Sequence, residues 1–166
     1  MLQIYCGNGK GKTTAALGGA VRASGAGLRV CFAQFMKGSD TSELAALKTL
    51  PITVKRCDRD YGFFGAMSGA DKSEITACHN GLLKFAFSGD FDFLVLDEFF
   101  SAYRHGLLDN EFAARLILNK KDSIEIVLTG REPPEIFLEK ADYISEIMSR
   151  RHPYDSGITA RKGIEF

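Results

Sequence analysis

The sequence predicts an α/β fold in which a mostly parallel sheet carries helices on both faces. Short apolar, strand-prone runs recur along the chain, and several are continuously hydrophobic, as expected for parallel strands covered on both sides. Segments with helical spacing separate these runs, and such alternation favours right-handed crossover connections. The 166 residues suffice for a substantial core, and we expect a single domain over residues 1–166.

The predicted strands and helices alternate along the chain. The first helix is rich in Ala, the second carries Leu44, Leu47 and Leu50 at helical spacing, and the last begins with prolines that suit a first turn. The predicted strands are Leu2–Cys6, Leu28–Phe35, Ile52–Arg56, Phe91–Leu96, Ile124–Thr129 and Tyr143–Ile147. The predicted helices are Thr13–Ala23, Ser42–Leu50, Asp71–Phe87, Asn110–Leu118 and Pro133–Lys140.

One internal segment shows neither pattern. Residues 57–69, CDRDYGFFGAMSG, mix glycines, aromatic residues and Asp without periodicity, and we predict a long loop, called the 57–69 loop below. Loops of this length are often functional.

Charge and hydropathy exclude some classes of protein. Lys and Arg together number 21, as do Asp and Glu, so the formal net charge is zero, which argues against bulk nucleic-acid binding through a basic face. No apolar stretch reaches the roughly 18 residues of a membrane-spanning helix. The first predicted strand begins at Leu2, directly after Met1, so we predict no signal peptide. We therefore expect a cytoplasmic protein that binds neither nucleic acid nor membrane.

The four cysteines, Cys6, Cys31, Cys57 and Cys78, form no C-x-x-C pair, so their spacing suggests neither a zinc site nor a redox dithiol. Cys6 and Cys31 lie in apolar runs, and we expect them to be buried thiols. A reducing compartment fits this usage best.

The segment IYCGNGKGKTTAALG, residues 4–18, predicts a phosphate-binding loop between the first strand and the first helix. Gly11, Lys12 and Thr13 match the end of the pattern G-x-x-x-x-G-K-[ST], but the first glycine is Gly7, which makes the loop one residue short. Such a loop turns backbone N–H groups towards an anion, and the helix N-terminus adds partial positive charge. Lys12 supplies a full charge and the Thr13 hydroxyl a ligand for Mg²⁺. The alternative is a glycine-rich turn with solvated lysines.

A second motif is FDFLVLDEFF, residues 91–100, in which a hydrophobic strand ends in Asp97 and Glu98. This is the form of a Walker B strand, whose carboxylate holds Mg²⁺ directly or through water. The pattern is weak alone, because buried strands often end in an acid, and a surface carboxylate pair is the alternative. Together with the upstream loop it predicts a nucleotide site.

The strand in VLTGR, residues 127–131, ends close to Arg131. Ligands of open α/β sheets bind at this edge, so Arg131 is a candidate to clamp a phosphate or the ribose; an ordinary surface arginine is the alternative. His79, His105 and His152 are not spaced as metal ligands, and we expect each to be structural or exposed.

These motifs and their surroundings resemble the P-loop class of ATP:corrinoid adenosyltransferases. The resemblance extends from residue 4 to the last residue and is thinnest over residues 40–75. It implies a P-loop NTPase-like, RecA-like fold. The matching segments are GNGKGKTTAALG at 7–18, RASGAGLRV with QFMKG at 22–38, LVLDE at 94–98, LTGR at 128–131, and AD…SE…HPYDSGITARKGIEF at 141–166.

The resemblance implies transfer of the 5′-deoxyadenosyl group of ATP to the Co(I) of a corrinoid, with release of triphosphate, in adenosylcobalamin biosynthesis or salvage. In this family ATP lies reversed along the shortened loop, which presents C5′ to the corrinoid. Co(I) is a strong nucleophile, so the protein must position the reactants and stabilise the leaving group rather than supply a base.

By position, Thr13 and Glu98 would hold Mg²⁺ with Asp97 close by, Arg131 would contact the nucleotide, and Lys12 and Thr13 would act in catalysis. Those implied to bind the triphosphate are Gly7, Asn8, Gly9, Lys10, Gly11, Lys12, Thr13 and Thr14.

On the corrinoid side, Phe64 matches the first aromatic of the family's corrinoid loop, and Ala66 lies near the place of the second, often Trp. The resemblance implies ATP and a reduced corrinoid as partners, with a flavoprotein electron donor and a homodimer as further expectations. Other members carry an N-terminal segment over the nucleotide, and here we expect it to be shortened or supplied from elsewhere.

Two alternatives stay open at this point. One is another P-loop enzyme, a nucleotide kinase or a RecA-like ATPase, in which Glu98 would orient a water. The other is a nucleotide- or corrinoid-binding module without catalysis.

Overall fold

A computed structural model describes residues 1–39 and 41–165 of the chain. The strands are β1 Leu2–Cys6, β2 Val30–Gln34, β3 Ile52–Arg56, β4 Phe93–Asp97, β5 Glu125–Thr129 and β6 Tyr143–Glu146. The α-helices are α1 Lys12–Gly25, α2 Ser42–Leu47, α3 Gly69–Ser88, α4 Phe99–Arg104, α5 Asn110–Lys120 and α6 Glu135–Leu138, with 3₁₀ turns at Phe64–Ala66 and Pro153–Ser156.

The six strands form one sheet in the order β3-β2-β4-β5-β1-β6, and every neighbouring pair is parallel. All carboxyl ends therefore meet at one edge of the sheet. The α/β fold with a parallel sheet, consistent with a P-loop NTPase-like domain, is confirmed.

The two faces of the sheet bury different helices. Along β4, Leu94 and Leu96 pack into one core cluster, whereas Phe93 and Val95 pack into the other. The first cluster includes residues of α3, α4, α5 and α6, and the second includes residues of α1 and α2. This arrangement explains the continuous hydrophobicity of the central strands, since both faces lie under helices.

Two differences from the predicted elements have a local cause. Helix α4 was not predicted: Glu98 adopts a left-handed conformation, φ 57° and ψ 24°, which turns the chain from β4 straight into α4. Helix α3 begins before the predicted Asp71, because Ser68 forms a capping box in which its side chain accepts the N–H of Asp71 and the Asp71 carboxylate accepts the N–H of Ser68.

The structure pairs Cys57 and Cys78 in a disulfide with a Cα–Cα distance of 6.0 Å. Cysteine spacing suggested no dithiol, because the two residues are 21 positions apart and meet only where the 57–69 loop lies against α3. The expected burial of the free thiols of Cys6 and Cys31 is confirmed.

The histidines occupy ordinary positions. His79 is fully buried, with Nδ1 2.8 Å from the Leu107 carbonyl, whereas His105 is exposed and His152 half-buried. Within residues 1–39 and 41–165, no helix has the length and apolar character needed to cross a membrane.

Candidate nucleotide-binding site

The candidate site lies at the carboxyl edge of the sheet. Parallel pairing sets Tyr5 of β1 beside Thr129 of β5, and Gln34 of β2 beside Asp97 of β4. The residues that follow β1, β4 and β5 therefore leave the sheet on the same side, where open α/β folds bind ligands.

The predicted phosphate loop is held by the segments that follow β5 and β6. The N–H of Gly9 donates to the Ile147 carbonyl at 2.7 Å, and that of Gly7 donates to the Arg131 carbonyl at 3.1 Å. A Cβ at Gly7 would lie 2.5 Å from the Ile147 oxygen, and one at Gly9 2.7 Å from it. Both positions thus require glycine because another chain segment passes so closely.

Asn8 is also bonded to the segment that follows β6, since its Oδ1 accepts a hydrogen bond from the N–H of Ser149 at 3.0 Å. The first part of the predicted loop therefore bonds to protein groups and shapes the loop.

The second part of the loop runs into α1. Gly11 has φ 122°, a left-handed conformation that favours glycine, and Lys12 is the first residue of the helix. The Lys12 ammonium donates to the Gly9 carbonyl at 2.8 Å. Burial lowers the pKa of Lys12, and the nearby Glu98 carboxylate partly opposes that change. A cation is thereby held against the loop at the helix N-terminus, an arrangement that attracts anions.

Asp97 is fully buried and accepts hydrogen bonds on both carboxylate oxygens. Its Oδ1 accepts from the hydroxyls of Thr13 at 2.9 Å and Thr129 at 2.8 Å. Its Oδ2 accepts from Lys37 Nζ at 3.0 Å and, more weakly, from Gln34 Nε2 at 3.5 Å. We call these five residues the Asp97 cluster. Asp97 is thus satisfied by protein donors and orients Thr13 instead of facing a ligand itself.

Glu98, unlike Asp97, lines the open cleft, as do Glu43 and Glu165. Its backbone N–H donates to Thr129 Oγ1 at 2.8 Å, which fixes the left-handed turn. Burial, and then the charge of Asp97, raises the pKa of Glu98, whereas the nearby cations Lys37, Lys12 and Arg131 oppose this rise.

The donor set suits Mg²⁺ bound together with a nucleotide. Thr13 donates its hydroxyl proton to Asp97 and accepts a long hydrogen bond of 3.5 Å from Lys37, which leaves one oxygen lone pair for a cation. Glu98 adds a carboxylate in the same cleft. No group of three or more His, Cys, Asp or Glu that could hold a metal occurs among the described residues. This sparse set fits a cation that usually keeps its waters and binds through one or two carboxylates and substrate phosphates.

The cleft itself has a volume of about 560 Å³. It is lined by residues 9–14 of the loop, by Lys37, Glu98 and Arg131, and by residues 163–165 of the C-terminal tail. A second cleft of about 370 Å³ shares Glu98 and Arg131 with the first. Most of the predicted nucleotide residues thus come together around one opening, with Asp97 beneath it.

The C-terminal tail is a part of this cleft that the motifs did not locate. Lys10 Nζ lies 3.1 Å from Glu165 Oε1, and Glu165 also pairs with Arg161 at 3.0 Å. The only sequence signal for this part of the chain was its place in the family resemblance, which runs to the last residue and includes the ending GIEF. Its last residue, Phe166, lies outside the described residues.

Phe64, predicted to face a corrinoid, is half-buried. Its ring stacks on that of His105 with centroids 4.0 Å apart, and the Lys72 ammonium lies 4.4 Å from the ring centroid. It also packs against the small core formed by Met67, Ile75 and Leu107. The adjacent Phe63 is 89% exposed, so it is the more accessible aromatic side chain of the 57–69 loop.

Lys37 and Thr129 are site residues that the motifs did not single out. Both lie within quoted motifs, QFMKG and VLTGR, but their proximity to Asp97 depends on the order β2-β4-β5 in the sheet, which the sequence does not state.

Comparisons with known proteins identify the family. A family model described as ATP:corrinoid adenosyltransferase BtuR/CobO/CobP matches residues 1–166. A corrinoid adenosyltransferase of Pseudomonas aeruginosa is 31% identical, over 100% of this chain and 83% of its own length. Corrinoid adenosyltransferases of Salmonella typhimurium and Escherichia coli K12 are 30% and 27% identical, each over 98% of this chain and 84% of their own length. The chain therefore belongs to the ATP:corrinoid adenosyltransferase family.

Proposed function

We propose that this protein, acting as one domain, transfers the 5′-deoxyadenosyl group of ATP to the Co(I) of a corrinoid at the 560 Å³ cleft, in adenosylcobalamin biosynthesis or salvage. The observation that carries the proposal is the shortened loop beginning at Gly7, whose residues 9–14 line one cleft together with Glu98, in a chain that matches the family over its whole length.

The reaction needs little from the protein in the way of proton transfer. The Co(I) lone pair attacks C5′, the C5′–O bond breaks, and its electron pair leaves with the triphosphate. No proton is removed from the nucleophile, so no general base is required. The barrier is lowered by alignment of the reactants and by charge stabilisation on the leaving group.

We propose that the cations of the cleft and the N–H groups in the first turn of α1 stabilise the negative charge that develops on the leaving triphosphate. Lys12, Lys10 and Arg131 line the opening, and the first N–H groups of a helix lack intrahelical acceptors. Gly7, Asn8 and Gly9 support these groups by shaping the loop, through their bonds to residues 131, 147 and 149. Thr13 and Glu98 would hold Mg²⁺, which would neutralise part of the triphosphate charge.

We place the corrinoid beside the second cleft. That cleft shares Glu98 and Arg131 with the first and includes His105, on which Phe64 stacks. Phe63 then supplies an exposed ring near the incoming corrinoid, while Phe64 fixes the loop. A flavoprotein electron donor, a homodimer and a cytoplasmic location are carried over from the family as part of this proposal.

Product analysis by phosphorus NMR tests the reaction. With ATP, Mg²⁺ and chemically reduced cobalamin, we expect adenosylcobalamin and intact triphosphate in equal amounts, and little ATP turnover without corrinoid. Abundant ADP and orthophosphate without corrinoid, or no triphosphate with it, would instead indicate a kinase or an ordinary ATPase.

The nucleotide site is tested by Lys12→Ala. Loss of a hydrogen bond to a charged group costs about 1.5–3 kcal/mol, so calorimetry should show ATP affinity reduced by roughly 10- to 100-fold or more, with an unchanged circular dichroism spectrum. Lys84→Ala, at an exposed position of α3, is the matched control. Equal ATP affinity in wild type and Lys12→Ala would contradict the assignment of this loop as the phosphate-binding loop.

A further inference from the structure

Lys37 is a cation of the nucleotide cleft to which the sequence motifs assign no role. It follows β2, and its Nζ lies 3.0 Å from Asp97 Oδ2 and 3.5 Å from Thr13 Oγ1. Its side chain retains 28% exposure, whereas that of Asp97 has none. Lys37 thus bridges the buried part of the Asp97 cluster and the open cleft that it lines.

The backbone on both sides of Lys37 is held in place. Met36 has φ 57°, unusual for a residue with a side chain, and its N–H donates to His79 Nε2 at 3.2 Å. On the other side, a Cβ at Gly38 would overlap the backbone of Asp60. Uncommon backbone conformations that the surroundings maintain concentrate at functional sites. These two restraints keep Lys37 at the mouth of the cleft.

The ammonium of Lys37 has a donor to spare. A lysine carries three N–H donors, and its hydrogen bonds to the described residues, 1–39 and 41–165, use two of them, towards Asp97 and Thr13. The Asp97 charge balances Lys37 in the absence of an anion, so the ammonium can be kept in place without an uncompensated buried charge. A phosphate oxygen entering beside Thr13 would come within reach of the third donor.

We propose that Lys37 is a triphosphate-binding residue, which keeps its bond to Asp97 and donates a further hydrogen bond to the phosphate next to Thr13. It thereby stabilises the charge that develops on the triphosphate as the C5′–O bond breaks. This inference rests on the proposed function for the identity of the leaving group, but it concerns anion recognition and can be tested without a corrinoid.

The test is calorimetric titration with sodium tripolyphosphate in Mg²⁺ buffer. We expect Lys37→Met to weaken tripolyphosphate binding at least tenfold, and Lys37→Arg to retain most of it. Lys48→Met serves as the control, since Lys48 is an exposed residue at the end of α2 that lies outside this cleft. Circular dichroism reports whether each variant is folded, and Lys37→Gln, which can still donate to Asp97, replaces Lys37→Met if that variant unfolds.

A double-mutant cycle separates anion binding from a purely structural role. If Lys37 only balances the charge of Asp97, then Asp97→Asn alone and Asp97→Asn combined with Lys37→Met should bind tripolyphosphate with equal affinity. We expect instead at least a fivefold loss in that background as well, and the absence of such a loss would overturn the proposal. Failure to form adenosylcobalamin in the product analysis, with the tripolyphosphate effect intact, would refute the proposed function alone.

Discussion

The nucleotide cleft and the 57–69 loop are held in place by different means. In the cleft, Thr13, Asp97 and Thr129 are linked by hydrogen bonds of 2.8–2.9 Å, because parallel pairing brings the ends of their elements together. The 57–69 loop has no strand partner. It is tied by the Cys57–Cys78 disulfide, and by Arg59, which pairs with Asp71 at 2.8 Å and Glu74 at 2.6 Å.

This difference suggests a division of labour. A site that must stabilise a leaving group benefits from fixed charges, since preorganised dipoles need no rearrangement during reaction. A loop held by side-chain links at a few points can present an exposed ring such as Phe63 to a large substrate. Changes in the cleft should therefore affect ATP binding, whereas changes in the loop should affect the corrinoid step.

Removal of Asp97 should have the largest effect on stability. Asp97→Ala leaves Lys37 without its partner and two hydroxyls without their acceptor, and breaking a buried charged pair costs about 3–5 kcal/mol. Urea denaturation measures the loss. Asp97→Asn should cost less, and Asp58→Ala, at an exposed position of the loop, should cost less than about 0.5 kcal/mol. A small effect of Asp97→Ala would mean that strand-end geometry alone holds the site.

Loss of the disulfide should come next and should leave the cleft intact. The bond joins residues 21 positions apart, for which chain entropy gives a stabilisation of about 3 kcal/mol. Without reductant, we expect the free energy of unfolding of Cys57→Ser/Cys78→Ser to be lower than that of the wild type by about this amount. With reductant, the difference should disappear because the wild type then also lacks the bond. ATP affinity should not change.

Thiol titration of the unfolded wild type provides the check on that pairing. Without reductant only Cys6 and Cys31 should react, whereas all four cysteines should react after reduction. Four reactive thiols before reduction would contradict the bond, and the stability difference between wild type and the double variant should then be the same with and without reductant.

The pH dependence of stability should report on His79. Its ring contacts Met36, the neighbour of Lys37, and Leu107, which packs with Met67 of the 57–69 loop. Burial lowers the pKa of His79 from 6.5 to about 4. The unfolded chain therefore binds more protons between these values, and stability falls as the pH drops from about 6.5 towards 4, by up to about 3 kcal/mol.

Urea denaturation at pH 7, 5.5 and 4.5 measures this loss. His79→Gln should lower stability at pH 7 but flatten the decline, and His152→Gln, near the C-terminal tail, is the control. Parallel pH profiles of wild type and His79→Gln would show that other groups cause the decline.

The two adjacent phenylalanines should give the smallest but most selective effects. Phe64→Ala removes a half-buried ring from His105 and Met67 and should cost about 1–3 kcal/mol, less than a fully buried Phe. Phe63→Ala should change stability by no more than about 0.5 kcal/mol. Both should slow adenosylcobalamin formation while ATP affinity stays constant. Unchanged turnover of Phe63→Ala would show that its exposed ring does not meet the corrinoid.

Much of the fold was predictable because it depends on local pattern. Buried strands read as continuous apolar runs, and each of the six predicted strands begins and ends within two residues of the observed one. Helix α4 escaped prediction because its start depends on one left-handed residue, Glu98, and FFSAYR alone shows too few turns for a helical period.

The candidate site was predictable where its residues lie in one motif, as in residues 9–14. Lys37 and Thr129 escaped prediction because their roles depend on which strands flank β4. Phe63 and Phe64 have the same chemistry in sequence, and only packing distinguishes the exposed ring from the stacked one.

By itself, the sequence determined the parallel α/β architecture, the phosphate loop and the acidic end of β4, since each of these follows from residue types within a few positions of one another. Only the tertiary structure decided that Asp97 is satisfied by protein donors, that Cys57 bonds to Cys78, and that the tail reaches Lys10. The physical reason is that hydrogen bonds, disulfides and ion pairs depend on distances of a few ångströms between groups far apart in the chain, and strand order and loop packing set those distances.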